Sequence, residues 1–223
     1  MKSPFHMALE SLHFIKTHWL NVLLLQSPMG LLVLLQIFLS PKLENHAWIA
    51  IGILLPLFSI GSSLCTAATF VLIEQKPSQG LAFLPIVFKE VFTRLIPLVL
   101  SSLTVSIFFG LGFAALIVPG IYFLAIYFFV PFLVMIQPRQ PVANYLFQSK
   151  QLITRNRKTL FTMIGIVLFT FLIEIPMSFV SDSLLGNVPF AFFFEMLITM
   201  VSAGLINCFI VFYFISLNSK GNS

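Results

Sequence analysis

Charge is what this sequence has least of. Only 9% of its residues are Asp, Glu, Lys or Arg, against about 25% in soluble domains. Acids are scarcest, seven against twelve Lys and Arg. Cysteine is limited to Cys65 and Cys208. Both fall inside long apolar runs, neither has metal-ligand spacing, and a disulfide across hydrocarbon is not expected, so both read as small core residues. The four histidines, His6, His13, His18 and His46, form no H-E-x-x-H or other metal pair within an apolar run. No Gly-rich phosphate loop or nucleophile elbow occurs. A membrane enzyme acting on lipids needs several polar groups at one depth, and the sequence offers no such cluster beyond one pair of acids. The expectation is therefore a protein with no catalytic residues, no metal and no cofactor, and not an enzyme.

Apolar residues fill the space that charge leaves. They make up 59% of the 223 residues, and the mean hydropathy is +1.04. No soluble fold hides that much apolar surface, so lipid must be the solvent. A helical span takes about 20 residues, which allows five to seven spans. The fold class expected is all-α: a single polytopic membrane domain, residues 1–223, forming a six-span bundle of three hairpins with amphipathic interfacial helices on the cytoplasmic face. The spans fall at about 19–39, 47–73, 95–117, 120–136, 159–180 and 189–216, with Pro119-Gly120 breaking the third from the fourth in a tight hairpin. The first run begins too far in, is too long and has no small-residue cleavage site, so it does not read as a signal peptide. The 27 Phe suit lipid-facing surface.

Between the spans lie amphipathic segments. Phe5, Leu9, Leu12, Ile15 and Trp19 recur at helical spacing, as in a helix lying in the interface. Leu81, Leu84, Phe88, Val91 and Leu95 line a second helical face, with Lys89, Glu90 and Arg94 opposite. The third segment carries Arg139, Lys150, Arg155, Arg157 and Lys158 beside an apolar stripe of Val142, Tyr145, Leu146, Leu152 and Ile153. Those five cations would attract anionic lipid headgroups. With the N-terminus cytoplasmic, six spans put eleven of the twelve basic residues inside and only Lys42 outside, which satisfies the positive-inside rule with both termini cytoplasmic. A segment-plus-two-spans pattern thus occurs three times, beginning near residues 4, 80 and 140.

Within the spans, Glu174 and Glu195 stand out. A carboxylate at membrane depth is costly and marks a candidate proton or ion site. At about 1.5 Å per residue, both fall in the outer third of consecutive helices. Two close carboxylates cannot easily both ionise, so a facing pair would share a proton. The alternative is that each reaches water or a nearby hydroxyl. Residues 59–69 are rich in Ser, Gly, Cys, Thr and Ala and read as a tight packing face or the lining of a pore. Pro28, Pro56, Pro97, Pro131 and Pro176 mark five spans and predict kinks. Asn21, Gln26, Gln36 and Asn207 can bond between helices.

The stretch Ile117-Val118-Pro119-Gly120-Ile121-Tyr122, the span ending near Pro131, and the segment with Ser149, Leu152 and Asn156 resemble the YciC-type bacterial inner membrane proteins. That family is related to the membrane domain of some glycerophosphodiester phosphodiesterases. The resemblance implies an inner membrane location and the same span layout. The phosphodiesterase domain has no counterpart in these residues, so that activity is not implied. Arg155, Tyr145 and Gln137 depart from the residue types usual in the family, so no binding role carries over to them. The expected function is support of envelope components or membrane homeostasis, through the lipid bilayer, anionic headgroups and contact with another membrane protein, without nucleic acid. The alternative is a small transporter or channel using Glu174 and Glu195.

Overall fold

Hydrocarbon offers no hydrogen bonds, so a backbone that crosses it must satisfy its own N–H and C=O groups, and a helix does so within one segment. The computed structural model describes residues 4–43, 47–75, 84–180 and 189–218. Their regular structure is entirely helical: α1 (Pro4–Leu25), α2 (Ser27–Leu43), α3 (Ala47–Glu74), α4 (Leu84–Thr93), α5 (Leu95–Ala115), α6 (Ile117–Ile126), α7 (Val130–Ile136), α8 (Val142–Thr154), α9 (Arg157–Val180) and α10 (Pro189–Asn218).

Four stretches among the described residues are long and apolar enough to cross a membrane: 52–74, 95–115, 117–136 and 196–217. A fifth is formed by 6–25 and 27–36, bent by 47° at their junction. The chain is therefore a multi-pass helical membrane protein. Sequence neighbours pack as expected, α2 on α3 and α5 on α6, but the helices also interleave. The first two helices run along α10, which also packs on α3, while α6 packs on α9.

Two of the breaks between helices have their cause in a proline. Pro28 has no N–H to give, and the chain turns at Gln26, whose carbonyl accepts the N–H of Met29 at 3.0 Å and of Gly30 at 3.2 Å. Pro131 likewise has no N–H for the Tyr127 carbonyl, which takes the Val130 N–H instead at 3.1 Å, and a turn at residues 127–129 separates α6 from α7. His18 leaves helical geometry (φ −122°, ψ 27°) where the interfacial segment was expected to give way to a span. The hairpin between the third and fourth spans breaks at Leu116 (φ −168°, ψ 151°), not at Pro119-Gly120. Proline is tolerated in the first helical turn, whose N–H groups have no partner anyway, so Pro119 starts α6 rather than ending α5. The glycine has a different task. Gly112 and Gly120 meet where the hairpin is tightest, and a Cβ on Gly112 would lie 3.0 Å from the Gly120 Cα.

At one end of the bundle the core is aromatic. Phe70 of α3, Phe129 and Phe132 around the start of α7, and Phe214 of α10 are all buried, with ring centroids 4.9 to 6.1 Å apart. Lipid tails are as apolar as these rings, so close packing rather than escape from water holds such helices together.

Substituting Gly120→Ala is expected to destabilise the protein by about 1–3 kcal/mol, because its Cβ meets backbone that cannot yield. Gly110→Ala, with nothing within 4 Å of the new Cβ, is expected to be neutral or stabilising by about 0.5–1 kcal/mol. Thermal unfolding of both variants in detergent checks the contrast.

Candidate functional site: a hydroxyl-lined pocket within the bundle

The small residues of α3 divide between two faces. Gly61, Cys65, Ala67, Ala68 and Thr69 are buried in packing. Ser59, Ser62, Ser63 and Thr66 line a cavity of about 300 Å³. Ser102 and Ser106 of α5 line the same space, and Tyr127 and Phe128 at the α6–α7 turn close another wall. Phe58 and Phe109 add rings, while Val130 and Pro131 lie where the pocket approaches the aromatic core.

Most of these hydroxyls are already committed. Ser59 donates to the Ser102 carbonyl at 3.0 Å and ties α3 to α5. Ser102 donates to the Leu98 carbonyl at 2.6 Å, and Ser106 to the Ser102 carbonyl at 2.8 Å, the back-bonding usual for serine inside a helix. The hydroxyls of Ser62, Ser63 and Tyr127 have no hydrogen-bond partner among the described residues. None of the lining residues is ionisable at neutral pH.

Thr66 joins the pocket to a buried polar network. Its hydroxyl faces the Asn207 Oδ1 at 2.9 Å and the Ser62 carbonyl at 2.7 Å. The Asn207 amide donates to the Gln26 Oε1 at 3.0 Å, the Gln26 amide donates to Thr69 Oγ1 at 3.2 Å, and Thr69 donates to the Cys65 carbonyl at 2.8 Å. Gln26 sits at the α1–α2 bend, so the bend delivers its side chain to α3 and α10. Among the described residues no buried side-chain nitrogen or oxygen lacks a partner.

The turn that forms the pocket wall is held from outside by α8. Ser149, fully buried, donates to the Ile126 carbonyl at 2.8 Å and accepts the Phe129 N–H at 3.3 Å. It thus spans the gap in backbone bonding at the α6–α7 turn. Tyr145 donates to the Gln137 carbonyl at 2.6 Å and accepts the Gln140 N–H at 3.1 Å. Arg94, beside α4, pairs with Glu90 at 2.6 Å and donates to the Met135 carbonyl, placing a cation at the C-terminal end of α7, where the helix dipole favours it.

The sequence-derived candidates fall elsewhere. Arg139, Lys150, Arg155, Arg157 and Lys158 are all exposed, on and beside α8. Glu174 and Glu195 lie on α9 and α10, but their side chains are outside the described residues. Gln36 is exposed and joins no network, whereas Asn21 is buried. His6, His13 and His18 share a shallow groove on α1 with Glu10 and Phe14, and among the described residues no group of three His, Cys, Asp or Glu could hold a metal. Sequence reasoning named Gln26 and Asn207 separately but not as partners, since they are 181 residues apart. It named Ser149 in a motif but not as the clamp on the broken span.

No family model matches the chain, and no curated protein or solved structure matches it.

Asn207→Leu is expected to cost about 1–2 kcal/mol, since it strands the Gln26 carbonyl oxygen in a dry interior. Adding Gln26→Leu is expected to cost less than the sum of the two single changes, because the partners leave together. Thermal unfolding of the three variants in detergent gives the coupling. Ser149→Ala leaves both the Ile126 carbonyl and the Phe129 N–H unpaired and is expected to cost about 1–3 kcal/mol. It should also raise proteolysis and amide exchange at residues 126–130, both readable by mass spectrometry.

Proposed function

We propose that the chain is a non-enzymatic integral protein of the bacterial inner membrane, of the YciC type, that supports envelope components or membrane homeostasis through lipid and protein contacts. The observation that carries this reading is the division of α8. One face is locked onto the fourth span through Tyr145 and Ser149, and every cation on and beside the helix is left exposed. A helix held in this way presents charge at a fixed height above the apolar bundle, which suits anionic headgroups.

Two further observations support the six-span layout with cytoplasmic termini. Arg94 reaches the end of α7 near α8, so two amphipathic segments gather at one end of the fourth span. The start of α1 meets the end of α10, where Ser216 lies 3.5 Å from the Met7 sulfur. The aromatic cluster of Phe70, Phe129, Phe132 and Phe214 supports a structural role over a conducting one, because four buried rings pack together where α3, α7 and α10 meet. The transport alternative rests on Glu174 and Glu195, with the pocket as its possible route.

Protein extracted with its native lipid in polymer discs provides the test. Anionic lipid is expected to be enriched over the bulk membrane. Replacing Arg139, Lys150, Arg155, Arg157 and Lys158 by Gln should remove the enrichment, at about 1 kcal/mol per cation. Wild-type discs with bulk lipid composition, together with proton flux in vesicles that Glu174→Gln and Glu195→Gln abolish, would replace this reading with the transporter.

A further inference from the structure

We infer that the pocket between α3, α5 and the α6–α7 turn binds the head of an uncharged, lipid-soluble molecule that carries carbonyl oxygens. This goes beyond the lipid-surface role of α8 and does not depend on it.

Charge is the first constraint on the occupant. No Asp, Glu, Lys, Arg or His lines the pocket, so an ion would meet no countercharge in a region that solvates charge poorly. Hydrogen bonding is the second. Ser62, Ser63 and Tyr127 bring three hydroxyls to one cavity with no partner among the described residues, while their neighbours Ser59, Ser102 and Ser106 are each bonded to backbone. Each free hydroxyl carries a proton to donate as well as lone pairs, and a carbonyl oxygen is the uncharged ligand atom that can accept from more than one of them.

Size and depth narrow the class. A space of about 300 Å³ equals the liquid volume of about ten waters at about 30 Å³ each. That is a compact head and not a whole lipid, so a tail must leave through the open side, where Ser62 is exposed. Ser62 and Ser63 stand midway along the apolar stretch 52–74, about 16 Å from either end at 1.5 Å per residue. Phospholipid headgroups do not reach that depth. Neutral lipids have no charged group to hold them at the surface, and the flanking Phe58 and Phe128 rings suit a flat or apolar head. Two sources share this chemistry: the ring of an isoprenoid quinone and the ester region of a diacylglycerol.

The test uses the full chain in phosphatidylcholine nanodiscs. A diazirine-bearing isoprenoid quinone and a diazirine-bearing diacylglycerol are titrated separately, irradiated, and the labelled peptides mapped by mass spectrometry. Saturable labelling of residues 55–66 or 124–131 is expected from one probe, displaced by its unlabelled parent. The probe that saturates identifies the source. Ser63→Phe, which fills the cavity, should lower labelling about tenfold or more, and the double variant Ser62→Ala/Ser63→Ala about three- to tenfold, as for the loss of one or two hydrogen bonds. The double variant removes only two unpartnered hydroxyls, so it should unfold at the wild-type temperature, and it decides the matter if the Phe variant does not fold. Labelling by both probes that rises linearly with concentration, spreads over the outward faces of α5 and α9, or is unchanged in the alanine pair overturns the inference. Loss of the anionic-lipid enrichment would bear on α8 alone and leave this result standing.

Discussion

Proline removes an N–H from the hydrogen-bond ladder of a helix, and in lipid no water stands by to repair the loss; α3 runs on through Pro56, but the chain turns at Pro28 and Pro131. Much of this structure follows from how the breaks are repaired. At Pro28 the chain bends and its own carbonyls re-pair one residue tighter, with N–H groups three residues along in place of four. The bend turns Gln26 inward, where it meets α3 and α10. At Pro131 local re-pairing is not enough, and the remaining carbonyl and N–H are taken by Ser149 from a different helix. A defect in the fourth span thereby becomes the docking point of α8.

The repairs also set a gradient across the bundle. Phenylalanines fill one end, hydroxyls line a cavity farther along, and the Gln26–Asn207–Thr66 network lies beside that cavity. Each buried amide meets a partner of complementary sense, so the polar groups add specificity to helix pairing without leaving a charge in hydrocarbon. Measured interhelical hydrogen bonds are modest, averaging about 0.6 kcal/mol. Their value here lies in register: a one-residue slip of α10 would take Asn207 away from Gln26 and leave the Gln26 Oε1 without its donor in a dry interior.

Helical character and apolar stretches were legible in the sequence because both follow from composition and length. The stretches 95–115 and 117–136 match expected spans closely, and α8 buries Tyr145 and Ile153 from its expected stripe. The spacing of Leu9, Leu12 and Trp19 was also readable, and all three are exposed, as residues facing lipid or the interface would be. Pro119-Gly120 was misread as the break because a proline looks the same in sequence whether it starts a helix or ends one. The pocket was legible only as one of two options for a small-residue run. Whether a serine in such a run finds a partner depends on what the opposite helix presents: Ser59 and Ser63, four residues apart, both line the pocket, but of the two only Ser59 bonds across to α5. The Gln26–Asn207 pair could not be read at all, since pairing across 181 residues is a property of the assembled bundle.

One hydroxyl connects the two surfaces on which function would rest. Ser149 holds Ile126 and Phe129, which bracket the turn, and Tyr127 and Phe128 between them form the pocket wall. The same residue belongs to the helix that carries Lys150 and leads to Arg155, Arg157 and Lys158. If α8 were displaced, the turn would lose its only hydrogen-bond partner outside the fourth span among the described residues, and lipid offers no replacement. A change at the pocket wall would in turn move the anchor of α8. Coupling of this kind needs no long pathway, because a single buried side chain satisfies two backbone groups on one element while riding on another. The exposed cations of α8 and the neutral cavity therefore share one support, and neither can be rearranged without the other.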